Sequence, residues 1–286
     1  MRHNIGWVLA EQGRLAEAER SFHLALELSD DELGHVRAVT LNGLGYVCFD
    51  QGRLAEAAEY FGAALRINQK TGRQKSLLAN RSNLGMVLRQ LGHESAAEEH
   101  LRAALDGHRR TSNINGELAA LEELSLLHAQ RGHSAAAVSA AEQGYDLAVI
   151  ARDQRAQAAL LIAFGEAKLG AGDVPSAQEA FQRVLALAEE FPFLTTRATI
   201  GTANALLALG GNAGARRHVE RALEEARRRG YVVLEADALS TQARCVATED
   251  PAAAARLAAA AVTLYRAAGA EPMAARVETE HSRQSQ

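Results

Sequence analysis

The sequence QGRLAEA occurs twice, at residues 12–18 and again at residues 51–57. In each copy an aromatic residue, Phe22 or Phe61, follows four residues after the last alanine. Two identical seven-residue segments spaced 39 residues apart indicate that the chain is built from internal structural repeats.

Glycines equivalent to Gly13 recur along the chain at intervals of 39 or 40 residues. An alanine follows each of them after five residues, and a large residue and a small residue precede each, as in Ile5-Gly6 and Leu44-Gly45. The five glycines are Gly13, Gly52, Gly92, Gly132 and Gly172. This register predicts pairs of antiparallel helices with a glycine in each connecting turn.

The composition also favours helices over strands. Of the 286 residues, 48% are hydrophobic but only 5% are aromatic, and only four are proline. Alanine and leucine, which dominate, are strong helix formers, and the short alternating runs typical of strands are missing from the sequence. We therefore predict an all-α chain.

Charge, cysteine and hydropathy patterns argue against several classes of protein. The net charge is −4, with 31 basic and 35 acidic residues intermixed, so no overall field favours nucleic acid. The two cysteines, Cys48 and Cys245, indicate neither a metal cluster nor a disulfide framework. No apolar run approaches the roughly 18 residues that a membrane span needs, and there is no signal-peptide pattern. We expect a cytoplasmic protein without a direct nucleic-acid or membrane partner.

The repeat pattern resembles the tetratricopeptide repeat over about residues 3–269. Its period of about 40 residues is longer than the common period of about 34, and no proline closes the second helix of each unit. The resemblance implies a right-handed superhelical solenoid in which the first helix of each pair lines a concave groove. The units are also similar to the C-terminal repeats of large bacterial transcription activators, and the excess of arginine over lysine suggests a bacterial source.

Seven units and a final capping helix are predicted. We expect residues 270–286 to form the capping helix and a tail that frays from His281, and the last two units to be degenerate. Since nothing precedes the first unit to cap it, we also expect the chain to be a fragment of a longer protein. The predicted units of the array over residues 1–269 are about 1–30, 31–70, 71–110, 111–150, 151–191, 192–230 and 231–269.

The resemblance also implies which side chains face the groove. Aromatic, methionine and arginine side chains are enriched where proteins bind one another, and asparagine can both donate to and accept from a peptide backbone. The alternative is that these side chains pack between neighbouring helices of a tightly curved array. The candidate partner-binding residues are Trp7, Asn42, Tyr46, Phe49, Asn83, Met86, Arg89, Glu122 and Leu126.

The sequence offers little for catalysis or metal binding. HESAAEEH at residues 93–100 is not the zinc motif HExxH, because Ala97 occupies the place of the second histidine. Arginines and glutamates interleave over residues 216–229, which indicates a solvated helix face with ion pairs within one helix. We predict no cofactor, no metal and no enzyme.

Two functions remain open. The first is a non-catalytic scaffold that binds a protein or peptide, as the sensory or partner-binding region of a larger bacterial transcription regulator. The alternative is an oligomerisation or intramolecular docking arm without a separate ligand, which would allow a homo-oligomer.

Overall fold

The structure is a computed structural model that describes residues 2–12, 14–29, 34–188 and 190–284. Fifteen α-helices account for most of these residues, and no strand occurs within the described ranges, so the all-α prediction is confirmed. The helices are α1 (Arg2–Glu11), α2 (Leu15–Glu27), α3 (Gly34–Asp50), α4 (Leu54–Lys70), α5 (Gln74–Gln90), α6 (Glu94–Arg110), α7 (Ile114–Gln130), α8 (Ser134–Ala151), α9 (Gln154–Gly170), α10 (Val174–Leu187), α11 (Pro192–Ala208), α12 (Asn212–Arg229), α13 (Val232–Val246), α14 (Pro251–Ala267) and α15 (Glu271–Gln284).

Each helix packs against the one before it and the one after it, as in a helical-repeat solenoid. Contacts between alternate helices are found among the odd-numbered ones: α1 with α3, α5 with α7, α7 with α9, α9 with α11, and α11 with α13. Alternate helices can meet only on the inside of a curve. The odd-numbered helices therefore line the concave face of the solenoid, and the even-numbered helices form its convex face.

The turn glycines adopt the backbone conformation that the sequence predicts. Gly52, Gly92, Gly132 and Gly172 have φ angles between 73° and 82°, in the left-handed region that favours glycine. The first glycine of the series, Gly13, lies outside the described residues.

The small residues of the repeat make room for aromatic side chains of the second helices. Phe22 of α2 lies between α1 and α3, where a Cβ on Gly6 would come within 2.6 Å of the ring and a Cβ on Gly43 within 2.5 Å. Phe181 of α10 lies in the same way against Gly165 of α9 and Gly201 of α11. The aromatic ring thus joins the two helices of one pair to the first helix of the next.

The last two helices, α14 and α15, pack against each other at the C-terminal end of the array. The Asp250 carboxylate accepts a hydrogen bond of 2.8 Å from the backbone N–H of Ala253 and so caps the N-terminus of α14. The helix α15 packs on α14 through Ala274 and Val277, which are buried. It continues to Gln284, so residues 281–284 of the tail predicted to fray belong to the helix; residues 285 and 286 lie outside the described residues.

The array also curves back on itself, a feature that the sequence does not predict. The α3–α4 turn meets α13 and the end of α14, where a Cβ on Gly52 would lie 3.1 Å from Val232 Cβ and 3.4 Å from Ala268 Cβ. The backbone N–H of Leu54 donates to the carbonyl of Ala268 at 3.4 Å. In the α5–α6 turn, a side chain on Gly92 would collide with Pro272 of α15. We call this contact between the α3–α4 and α5–α6 turns and helices α13–α15 the clasp.

Candidate functional site

Aromatic side chains lie together at the N-terminal end of the groove. The Trp7 and Tyr46 rings meet edge to face with centroids 5.6 Å apart, and each also meets a core phenylalanine, Phe22 or Phe61, in the same manner. Phe49 and Met86 are partly buried beside them, against the core that continues into the clasp. These groove residues are therefore supported from behind by the aromatic core of α2 and α4.

An asparagine network connects α3, α4 and α5 next to these aromatic rings. The Asn42 Oδ1 atom accepts hydrogen bonds from Asn80 Nδ2 at 2.7 Å and from Asn83 Nδ2 at 2.9 Å. The Tyr46 hydroxyl donates to Asn83 Oδ1 at 2.8 Å, and Asn68 Nδ2 donates to Asn80 Oδ1 at 2.7 Å. The network fixes the orientation of the Asn42 and Asn83 amides, so any contact with a ligand would be made by preoriented groups.

Charged side chains accumulate in the middle of the groove. Arg89 Nε donates to Glu123 Oε2 at 2.8 Å, and both side chains are nearly buried. Arg197 on α11 binds both carboxylate oxygens of Glu166 on α9, at 2.9 and 3.1 Å. The nearest Arg197 nitrogen lies 3.9 Å from Glu122 Oε1, which is too long for a hydrogen bond. Glu122 therefore has weaker compensation for its charge than its neighbours have.

Burial changes the protonation of the acidic groups of the groove. Desolvation and the adjacent charge of Glu123 raise the pKa of Glu122 to about 7. Desolvation likewise raises the pKa of Asp237, which accepts a short hydrogen bond from the Tyr265 hydroxyl. Asp50 reaches solvent, but the surrounding walls of the groove keep much of it from bulk water and raise its pKa to about 6. The concave face is thus an environment that disfavours negative charge.

The structure places the predicted site residues in two groups. Trp7, Asn42, Tyr46, Phe49, Met86 and Glu122 are partly exposed. Asn83, Arg89 and Leu126 are buried, with 9%, 7% and 2% of their surface exposed. Leu126 packs with Ala141 and Ala163, because the curvature of the array brings α9 over α7. These three side chains offer a ligand little surface in this conformation.

Three further groove residues were not predicted as site residues. Arg197 and Asp237 belong to units whose repeat pattern is weak, so their register is difficult to assign from the sequence. Asp50 ends α3, one position after the predicted groove residue Phe49. An acidic residue directly after a predicted groove position was the one feature of the sequence that could have indicated Asp50 as a site residue.

A serine, a histidine and an asparagine also meet between α5, α6 and α7. Ser82 Oγ lies 3.5 Å from His108 Nε2, and Asn113 Nδ2 lies 3.0 Å from His108 Nδ1. Because Asn113 Oδ1 accepts from the Gly116 N–H at 3.2 Å, Asn113 Nδ2 must donate to His108 Nδ1, which leaves the proton on Nε2. A catalytic base would need Nε2 free to accept the serine proton. The group is a buried structural network.

Other features of the surface agree with the expectations only in part. Arg228 and Arg229 pair with Glu225 in their own helix, as predicted, whereas Arg216 and Arg227 reach across to Glu249 and Glu235 near α13.

In the described part of the chain, no group of three or more potential ligands could hold a metal ion. Within the same ranges, no helix combines the length and apolar character that crossing a membrane requires.

Comparisons with known proteins agree with this geometry. A family model of the tetratricopeptide repeat matches residues 1–70 and 36–110. A search of the curated proteins found no match.

Several solved structures have similar folds. NprR in complex with its cognate peptide NprX has a TM-score of 0.71 at 14% identity, with 83% of this chain and 70% of that chain covered. A Rap protein complexed with Competence and Sporulation Factor has a TM-score of 0.74 at 17% identity, with coverage of 99% and 75%. Aspartyl phosphate phosphatase F from Bacillus subtilis has a TM-score of 0.63 at 11% identity, with coverage of 100% and 93%. The described chain has the fold of a helical-repeat solenoid, and its residues 1–110 match the sequence model of the tetratricopeptide repeat.

Proposed function

We propose that the concave groove binds an extended protein or peptide segment and that the chain is a non-catalytic recognition scaffold. The observation that carries the proposal is the cluster of ionisable side chains in the middle of the groove. Burial of charged groups costs stability unless they are well paired, and Glu122 is 3.9 Å from its nearest cationic nitrogen. Groups kept in such an environment on a concave surface are candidates for ligand contact.

The N-terminal end of the groove suits the remaining chemistry of a peptide. Trp7, Tyr46, Phe49 and Met86 offer partly exposed apolar surface for side chains. The Asn42 amide lies beside them, and its orientation is fixed by Asn80 and Asn83. A polar group with a fixed orientation can bind backbone N–H or C=O groups with little loss of side-chain entropy.

The clasp favours an extended ligand over a folded domain. Since α13–α15 meet the α3–α4 and α5–α6 turns, the array is closed on itself there, which leaves a ligand less room than an open array would. NprR and Rap, which have similar folds, were crystallised with a bound peptide and with Competence and Sporulation Factor, respectively. These complexes support a ligand of that class for this chain.

We further propose that this region belongs to a larger cytoplasmic transcription regulator of bacterial origin. The support is the resemblance of its 40-residue period to the repeats of large bacterial transcription activators. The genomic sequence directly upstream tests this point. A coding sequence for a helix-turn-helix or P-loop domain in the same reading frame would support the proposal, and a stop codon followed by an unrelated gene would contradict it.

Selection of peptides from a displayed random library tests the binding proposal. Enriched peptides should bind the Asn42→Ala and Glu122→Ala variants at least about tenfold more weakly, which corresponds to about 1.4 kcal/mol, at a temperature well below the unfolding transition of each variant. Glu179→Ala, on the exposed surface of α10, is the matched control and should leave affinity unchanged. Peptides that bind all groove variants equally would contradict the proposed groove.

A further inference from the structure

The outward face of α1 is apolar and exposed. Ile5 and Val8, one helical turn apart, have 50% and 52% of their surface exposed, and Asn4 beside them is exposed as well. Neighbouring apolar residues on one helix face normally pack against another element. Within the described residues, α1 packs against α2 and α3 on its opposite side, and no helix packs against its outward face.

The repeat itself indicates what covers this face. The residues equivalent to Ile5 and Val8 are Leu44 and Val47 in the second unit, and both have 0% of their surface exposed. They belong to one core cluster with Ala18 and Phe22 of α2, the second helix of the preceding unit.

The fourth unit repeats this arrangement. Its equivalent residues, Leu124 and Leu127, are 6% and 0% exposed and belong to one cluster with Ala97 and Leu101 of α6. The face that is exposed on α1 is therefore an established interface in the following units.

The covering helices share one apolar pattern. An alanine is followed four residues later by a phenylalanine or a leucine, so the two side chains lie on one helix face. The alanine allows close approach, and the larger side chain enters the space beside the first helix, as Phe22 does against Gly43. The pairs are Ala18 and Phe22 in α2, Ala57 and Phe61 in α4, and Ala97 and Leu101 in α6.

The opposite end of the array is different. The last helix, α15, buries Ala274 and Val277 against α14 but exposes Glu278, Thr279 and Arg283. A polar outer face is what a terminal helix of a soluble repeat array requires. The outer face of α15 in a second copy is therefore too polar to cover α1 in the way that α2 covers α3.

We propose that the outward face of α1 binds an amphipathic α-helix from another polypeptide segment, antiparallel to α1 and with the small–large pattern of α2, α4 and α6. The partner helix takes the place that α2 has on α3. It covers Ile5 and Val8 with an alanine and, four residues later, a phenylalanine or leucine. This surface is separate from the concave groove and does not depend on what the groove binds.

A fusion to the full chain tests the proposal directly. A second copy of residues 34–80 is placed immediately before Arg2, so that Arg2 takes the place of Arg81 and the copied α4 meets α1 as α4 meets α5. Hydrogen exchange at the amides of α1 should slow at least about tenfold, because local opening must now also break the new interface. The melting temperature should rise as well.

Two controls make the result specific. The same fusion with Ala57→Glu and Phe61→Glu in the copied hairpin alone should give no slowing, and neither should the original fusion combined with Ile5→Glu and Val8→Glu. Equal slowing in the control fusions, or unchanged exchange in the first fusion, would overturn the proposal. Light scattering on the unfused chain tests whether the partner helix comes from a second copy. A dimer that is abolished by Ile5→Glu and Val8→Glu would show that it does.

Discussion

At the residue scale, three equivalent positions between repeat units adopt a left-handed backbone. Gly72, Ser112 and Arg152 have φ angles of 68°, 51° and 56°. A residue with a Cβ pays roughly 1–2 kcal/mol in this conformation, whereas glycine does not. We expect Arg152→Gly to stabilise the chain by about 0.5–1 kcal/mol, after the greater flexibility of glycine in the unfolded state is subtracted. Urea denaturation measures the change.

Arg152 is exposed, so the substitution removes few packing contacts. Arg152→Ala removes the same charge but keeps the Cβ, and it should give no comparable gain. An alanine variant as stable as the glycine variant would show that the benefit comes from the lost side chain and not from the backbone.

Glu122 gives a second prediction at this scale, for the dependence of stability on pH. Its pKa is raised from 4.5 to about 7, so between these values the folded chain holds a proton that the unfolded chain has released. Stability from this group therefore decreases as the pH rises from about 4.5 through 7. We expect Glu122→Gln to raise the melting temperature at pH 8 and to have little effect at pH 5.

Glu123→Gln is the matched control, because it removes the partner of the buried Arg89. It should lower the melting temperature at pH 8, since an unpaired buried charge is destabilising. Circular dichroism at both pH values measures the four results. An equal effect of Glu122→Gln at pH 5 and pH 8 would contradict the assigned protonation.

At the scale of the helical element, aromatic side chains hold successive helices together. A Cβ on Gly43 would lie 2.5 Å from the Phe22 ring, so Gly43→Ala must displace the ring or separate α2 from α3. Overpacking of this kind costs about 1–3 kcal/mol. Gly170, in the last turn of α9, has open space where a Cβ would lie, with no atom within 4 Å, so Gly170→Ala should be neutral or stabilising by up to about 1 kcal/mol. Thermal unfolding of both variants compares these effects.

The helical elements are also where prediction from sequence succeeds. The antiparallel pairing of the helices and the left-handed turn at Gly52 depend on residues close in sequence, so a local pattern is sufficient to predict them. Arg197 and Glu122 come together only through the accumulated rotation of several units, as does the clasp. Small differences in rotation per repeat decide such contacts, and local patterns do not encode them. The burial of Leu126 has the same origin.

At the scale of the whole molecule, the clasp joins parts of the chain that an open array would keep independent. The stability of a repeat array is normally a sum of units and nearest-neighbour interfaces. Here Gly52 and Leu54 contact Ala268, which is 3% exposed. We expect Ala268→Glu to accelerate hydrogen exchange in the α3–α4 turn by at least about tenfold, although the substitution lies in a different unit.

The other turns provide the control within the same molecule. A Cβ on Gly132 or Gly172 would have nothing within 4 Å, so exchange in these two turns should not change. Small-angle scattering should show a larger radius of gyration with unchanged helical content. If exchange accelerates only around α14, the clasp does not couple the two ends.

Closure also restricts how this protein can evolve. An open solenoid can gain or lose a unit, because each unit needs only its two neighbours. Here an extra unit inserted between α6 and α7 would rotate Val232 away from Gly52 and Pro272 away from Gly92, and both contacts would be lost together. The number of hairpins between the two sides of the clasp is therefore fixed by geometry, and descendants of this protein should vary in their loops and surface residues while that number stays constant.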